Sequence, residues 1–152
     1  MSHNNKEDKN SKNSREKTRV VSIKDADQYE SLKDKGLVII DFNTTWCGPC
    51  KRFAPIFDEM SKKYPHVTFL SVDSEKIEHP DTEKILSVPT FKVVLNGEVQ
   101  KEFSGVNAER LEEYIERYQT YQIQISINGN KMKSFTSDDR KRIISYMDKL
   151  SE

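Results

Sequence analysis

The chain is 152 residues long, the size of one ordinary domain, with 34% hydrophobic and 33% charged residues. Its 25 basic and 25 acidic residues cancel to a formal net charge of zero, which gives no general reason to expect nucleic acid or an anionic membrane as a partner. No run approaches the ~18 apolar residues of a membrane span, and the first twenty residues hold no apolar stretch resembling a signal sequence, so a soluble, cytoplasmic protein is expected, with the nucleus not excluded.

The charge is uneven along the chain: residues 1–19 carry +3, residues 20–119 carry −5 and residues 120–152 carry +2. Three segments are expected accordingly. Residues 1–19 are Asn, Lys, Ser and acids with almost nothing apolar, which predicts a disordered polar tail. Residues 20–118 read as an α/β domain, and residues 119–152 as a C-terminal hairpin and helix.

Within the α/β part, VVSI (20–23) predicts a short strand, and Asp25 or Asp27 caps a helix carrying Tyr29 and Leu32 that Gly36 ends. LVIIDFN (37–43) is a continuous apolar run of the kind buried on both faces of a sheet. After WCGPC, Phe53, Ile56, Phe57, Met60 and Tyr64 recur at helical spacing, and Pro55 predicts a kink in that helix. VTFLSV (67–72) is the next strand, followed by a short polar helix within 74–87 whose regularity Pro80 limits. TFKVVL, Asn96-Gly97 and EVQKEF predict a β-hairpin, because that dipeptide accepts positive φ. Asn107–Tyr118 closes the domain as a helix, giving the order βαβαβαββα.

Beyond it, Tyr121, Ile123, Ile125 and Ile127 alternate with polar residues and predict a half-buried strand. Asn128-Gly129-Asn130 would turn it, KMKSF would return, and Ser137 would cap a helix with Ile143, Ile144, Met147 and Leu150 on one face. Such a unit is too small to stand alone, so its apolar side must rest on the domain, on a second copy or on a partner.

The chemistry concentrates at Cys47 and Cys50, the only cysteines. Two cysteines three positions apart at a strand-to-helix junction lie within disulfide reach, the first beside unpaired helix N-terminal amides that favour its thiolate. Cys47 then attacks a target disulfide, and Cys50, one turn in and shielded, attacks second to release the target. Zinc is the competing use, but a structural site needs four ligands, and His3, His66 and His79 show no ligand spacing.

DFNTTWCGPCKRFAPIFDEM, the Val88-Pro89-Thr90 step before a strand, and NGEVQKEFSGVN before a closing helix closely resemble the thioredoxin family, particularly its cytosolic eukaryotic type, over about residues 20–118. The resemblance implies a thioredoxin fold, a mixed central sheet flanked by helices. It also implies a protein disulfide reductase with no bound cofactor, whose electrons come from NADPH through a thioredoxin reductase-like flavoprotein and pass to disulfide-containing proteins. The chain itself is expected as a monomer or weak dimer.

Carried over residue by residue, the resemblance makes Cys47 the nucleophile and Cys50 the resolving thiol. Gly48 and Pro49 set the tight turn, and Trp46 shields the site and offers an apolar platform. Pro89 matches a cis proline facing the disulfide, and the Val88 backbone would pair with an extended substrate. Gly105 matches a glycine that lets substrate approach, or else serves only as the stop of a strand. Asp41, a carboxylate in an apolar strand, has its pKa raised by burial and suits a proton shuttle to the resolving cysteine, or is a buried polar residue satisfied locally. Where some members place a Lys facing that Asp, Phe69 is expected here. The extension from residue 119 is absent from typical members and motivates the alternative, an adaptor whose extension binds a partner or a second copy.

Overall fold

A computed structural model of the chain describes residues 17–127. The elements are β1 (Val20–Ser22), α1 (Ala26–Leu32), β2 (Leu37–Asn43), α2 (Gly48–Lys63), β3 (Thr68–Asp73), α3 (Pro80–Glu83), β4 (Thr90–Leu95), β5 (Glu98–Ser104) and α4 (Ala108–Ile127). They form one five-stranded mixed sheet in the order β1-β3-β2-β4-β5. β1 and β2 run parallel to β3, while β4 is antiparallel to both β2 and β5. This is the thioredoxin fold that the sequence implied.

β2 lies in the middle because its run of apolar residues needs cover on both faces. Alternation along the strand sends Leu37 and Ile39 to one side and Val38, Ile40 and Phe42 to the other. The first side packs with Phe69, Phe91 and Val93 of the sheet, Phe53, Phe57 and Met60 of α2, and Leu111 and Ile115 of α4. The second packs with Leu70, Val72, Ile77 and Tyr29 of α1.

Local rules place most boundaries. Asp25 caps α1, its Oδ1 accepting the Gln28 N–H at 2.8 Å. α1 ends at Leu32, earlier than Gly36; that glycine instead sits at φ 68° in the turn into β2, where its carbonyl accepts the Asn96 N–H at 2.9 Å. α2 runs through Pro55 as one helix. Pro80 begins α3 rather than disrupting it, since the first helical turn tolerates a residue without an N–H. His79, a loop residue without an assigned role in the sequence, caps that turn: its Nδ1 accepts the Asp81 N–H at 3.0 Å. The hairpin forms as expected, with Asn96 at φ 50° and Gly97 at φ 85°.

The C-terminal side departs from expectation. Residues Tyr121–Ile127 are not the first strand of a hairpin; they continue α4, so a boundary at 118/119 falls inside a helix. Their alternation fits period two, but Leu111, Ile115, Tyr118, Tyr121 and Ile125 also follow steps of three and four, and the helix already under way takes that pattern. Tyr121 is buried, its ring edge-on to Tyr118 at 5.3 Å, and Ile125 packs against the main core. Gln122 lies so close over Gly36 that a Cβ there would come within 2.6 Å of its amide nitrogen. Residues 1–16 of the expected tail (1–19), the return strand KMKSF and the helix with Ile143, Ile144, Met147 and Leu150 lie outside the described residues.

Because Tyr121 fills the core from beyond the expected domain end, Tyr121→Ala is expected to destabilise the protein by about 3 kcal/mol. Urea unfolding of both proteins reads this, and a loss below about 1 kcal/mol would place the tyrosine outside the cooperative core.

Candidate active site

The sheet face covered by α2 changes character along its strands. On β2, Leu37 and Ile39 give way to Asp41 and Asn43; on β3, Phe69 gives way to Ser71; on β1, Val20 gives way to Ser22. Register aligns Ser22, Ser71 and Asp41 as one row across three strands. The polar end of this face lies where β2 hands over, through Thr44–Trp46, to the N-terminus of α2.

Cys47 is the N-cap of α2, with extended backbone at φ −78° and ψ 108°. Its Sγ accepts the Cys50 N–H at 3.2 Å, so one of the helix's unpaired amides already points at the first sulfur. The two residues are joined as a disulfide with Cα atoms 5.3 Å apart. Gly48 and Pro49 form the first helical turn, where proline's missing N–H costs nothing. Shielding does not separate the two thiols as expected: Cys47 is 3% exposed and Cys50 6%. What separates them is the amide on the Cys47 sulfur and the surroundings of Cys50.

Cys50 lines a cavity of about 630 Å³ together with Asp41, Asn43, Thr44, Asp58 and Ser71. Asp41 is 4% exposed, and its Oδ1 has no hydrogen-bond partner. Burial pushes its carboxyl up to about 7, while the Asn43 side chain pulls the other way. A carboxyl that changes charge near neutrality thus shares a cavity with the second cysteine. The residue facing it is not Phe69. Phe69 pairs with Ile39 within the apolar core, and Ser71 is the partner of Asp41.

Around the rim, Trp46 is 67% exposed, and its indole N–H donates to Glu75 Oε1 at 2.8 Å. Glu75 was not singled out in the sequence; it lies 29 residues away, and no local pattern links it to Trp46. The Val88–Pro89 peptide is cis. Thr90, next in sequence, pairs with Phe42, which brings the cis-proline turn to the end of the sheet from which the cysteine loop departs. The Pro89 carbonyl accepts the Gly105 N–H at 2.8 Å. Gly105 adopts φ 86°, and a Cβ built there would meet nothing within 4 Å. Its backbone therefore requires glycine while the space before it is open.

Comparison with known proteins agrees with this geometry. The Thioredoxin family profile matches residues 19–117. Thioredoxin 1 of Plasmodium falciparum is 46% identical over 93 residues, covering 60% of this chain and 89% of that protein. Thioredoxin-3 of Dictyostelium discoideum is 36% identical over 100 residues, covering 65% and 96%. The solved structure of Plasmodium falciparum thioredoxin superposes with a TM-score of 0.59 at 39% identity, covering 64% of this chain and 97% of its own. With the family's segment spanning the sheet, the cysteine loop and the first half of the closing helix, this chain belongs to the thioredoxin family.

Proposed function

We propose that this protein reduces disulfides in other proteins, with Cys47 as the attacking and Cys50 as the resolving thiol. The observation that carries the reading is the Cys47–Cys50 pair at the N-terminus of α2, with the Cys50 amide on the Cys47 sulfur. In the reduced protein that amide and the helix dipole favour the Cys47 thiolate. The thiolate attacks one sulfur of a target disulfide, forming a mixed disulfide and expelling the other target sulfur as a thiolate that takes a proton from water. Cys50 then gives its proton to the Asp41 carboxylate and attacks the Cys47 sulfur. The Cys47–Cys50 bond forms, and the second target thiolate leaves. The target gains two electrons and the dithiol loses two.

Trp46 and the turn of Val88, Pro89 and Gly105 would receive the target segment, with Gly48 and Pro49 holding the cysteine loop. The redox centre is the cysteine pair itself, with no bound cofactor. Recycling would draw electrons from NADPH through a thioredoxin reductase-like flavoprotein, and the setting would be the cytoplasm. The adaptor alternative is weakened because Tyr121 and Ile125 of the extension are spent on this domain's own core.

Insulin reduction with dithiothreitol tests the reading. The full chain is expected to accelerate precipitation of the insulin B chain, and Cys47→Ser is expected to leave only the background rate. Equal background rates for both proteins would overturn it.

A further inference from the structure

Asn43 stands two residues beyond Asp41 on the same face of β2. Its Nδ2 donates to two groups, the Asp41 carbonyl at 3.2 Å and the Ser71 hydroxyl at 2.8 Å. Both acceptors belong to the polar row containing the buried carboxyl, because Ser71 is Asp41's partner across the strands. The Asn43 backbone is itself held, its carbonyl accepting the Ser74 N–H at 2.8 Å. The side chain is thus held by two hydrogen bonds, and the backbone by a third, beside the cavity that Asp41 and Cys50 share. Among the described residues, the buried side-chain atoms without a partner are Asp41 Oδ1, Thr44 Oγ1 and Asp58 Oδ1, and all three residues line this same cavity.

We propose that Asn43, anchored through Ser71, is a positioning residue for proton transfer: bonded to the Asp41 main chain, it places the positive end of an amide dipole beside the cavity that Asp41 and Cys50 share, favouring the carboxylate able to take the Cys50 proton. The inference rests on the proposed reductase chemistry and adds residues to it. Its physical basis is a balance of two effects. Burial favours the neutral acid, and a neutral acid cannot accept a proton; an amide whose N–H groups are directed at the Asp41 main-chain carbonyl and the Ser71 hydroxyl brings the positive end of its dipole to this end of the sheet and opposes burial without adding a charge. The charged groups around the cavity come from α2, namely Lys51 and Asp58. The Asp58 Oδ2 lies 3.5 Å from Lys62 Nζ. From the other strands the row offers only Ser22, Ser71 and the Phe91 partner of Asp41. Ser22, Ser71 and Phe91 bring no side-chain amide, so Asn43, two residues along β2 from Asp41 and paired with Asp73 of β3, is placed to set the balance.

The test follows stopped-flow reaction of the reduced full chain with one equivalent of 5,5′-dithiobis(2-nitrobenzoate) between pH 5 and 9. The first nitrothiobenzoate released reports attack by Cys47, and the second, concentration-independent release reports resolution by Cys50. Asn43→Ala is expected to leave the first phase unchanged and to move the acidic limb of the second upward by about one pH unit, a roughly tenfold loss at pH 6.5. Ser71→Ala, which removes the anchor and leaves Asn43 in place, is expected to shift the limb in the same direction. In an Asp41→Asn background, Asn43→Ala should produce no further shift.

A second-phase profile identical in the wild type and both single variants overturns the proposal. An equal shift in the Asp41→Asn background also overturns it, because the effect would then not pass through the carboxyl. If only one nitrothiobenzoate is ever released, the dithiol mechanism itself fails, an outcome separable from the others by its stoichiometry.

Discussion

A Cys50→Ser protein mixed with a disulfide substrate is expected to accumulate as a covalent adduct through Cys47, while its steady-state insulin reduction falls by about a thousandfold or more. The argument runs from geometry. Cys47 caps α2 and its sulfur receives the Cys50 N–H, which a serine at position 50 still donates, so the attacking thiolate keeps its stabilisation. The mixed disulfide then forms at an ordinary rate. Its resolution needs a second sulfur 5.3 Å away between Cα atoms, and a hydroxyl cannot replace it, because breaking the mixed disulfide requires a thiol-disulfide exchange. Denaturing mass spectrometry without reductant reads the adduct directly, and dithiothreitol should release it. The Cys47→Ser protein provides the contrast: Cys50 lies a turn inside the helix without the cap position, and little adduct is expected. Equal adduct yields from the two variants would show that either sulfur attacks, which their similar burial does not forbid, and would remove the assigned order.

Much of this arrangement was legible in the residues. The run Leu37–Asn43 read as a strand covered on both faces, and Asn96-Gly97 between two half-alternating runs read as a tight hairpin, and both formed. Cys47 and Cys50 at a strand-to-helix step carry their chemistry in their spacing. What was not legible depends on pairing between distant segments. VTFLSV does not state which of its residues faces Asp41, and a shift of two positions keeps every side chain on its face; Phe69 was therefore as admissible as Ser71 until the register was known. Asn43 was hidden for the same reason, since its role needs the hydroxyl of Ser71 beside it. The length of α4 was ambiguous because Tyr121 and Ile125 satisfy both periods, and only the core beneath them favours the helix.

The buried carboxyl also predicts how stability depends on pH. Asp41 titrates near 7 in the folded protein against an ordinary 3.8, because burial disfavours its charge. Between about pH 4 and pH 7 the folded state therefore holds a proton that the unfolded chain has lost, and raising the pH across this window lowers stability. Below pH 4 both states are protonated and above pH 7 both are ionised, so the contribution is flat outside the window. The shift corresponds to a cost of about 4 kcal/mol at pH 8. Asp41→Asn replaces the carboxyl with an uncharged group of nearly the same shape, so the variant is expected to be more stable than the wild type by up to about this amount at pH 8. The difference should shrink towards zero near pH 4. Urea unfolding of the oxidised proteins at a series of pH values measures it, and a difference that stays constant with pH would remove burial of the charge as its origin. The same variant is expected to resolve its mixed disulfide more slowly, since Cys50 loses the acceptor that shares its cavity. Stability and turnover would then move in opposite directions on a single substitution. That combination distinguishes a carboxylate kept for its chemistry from one that merely fills space, because the buried charge weakens the fold and only the reaction gains from it.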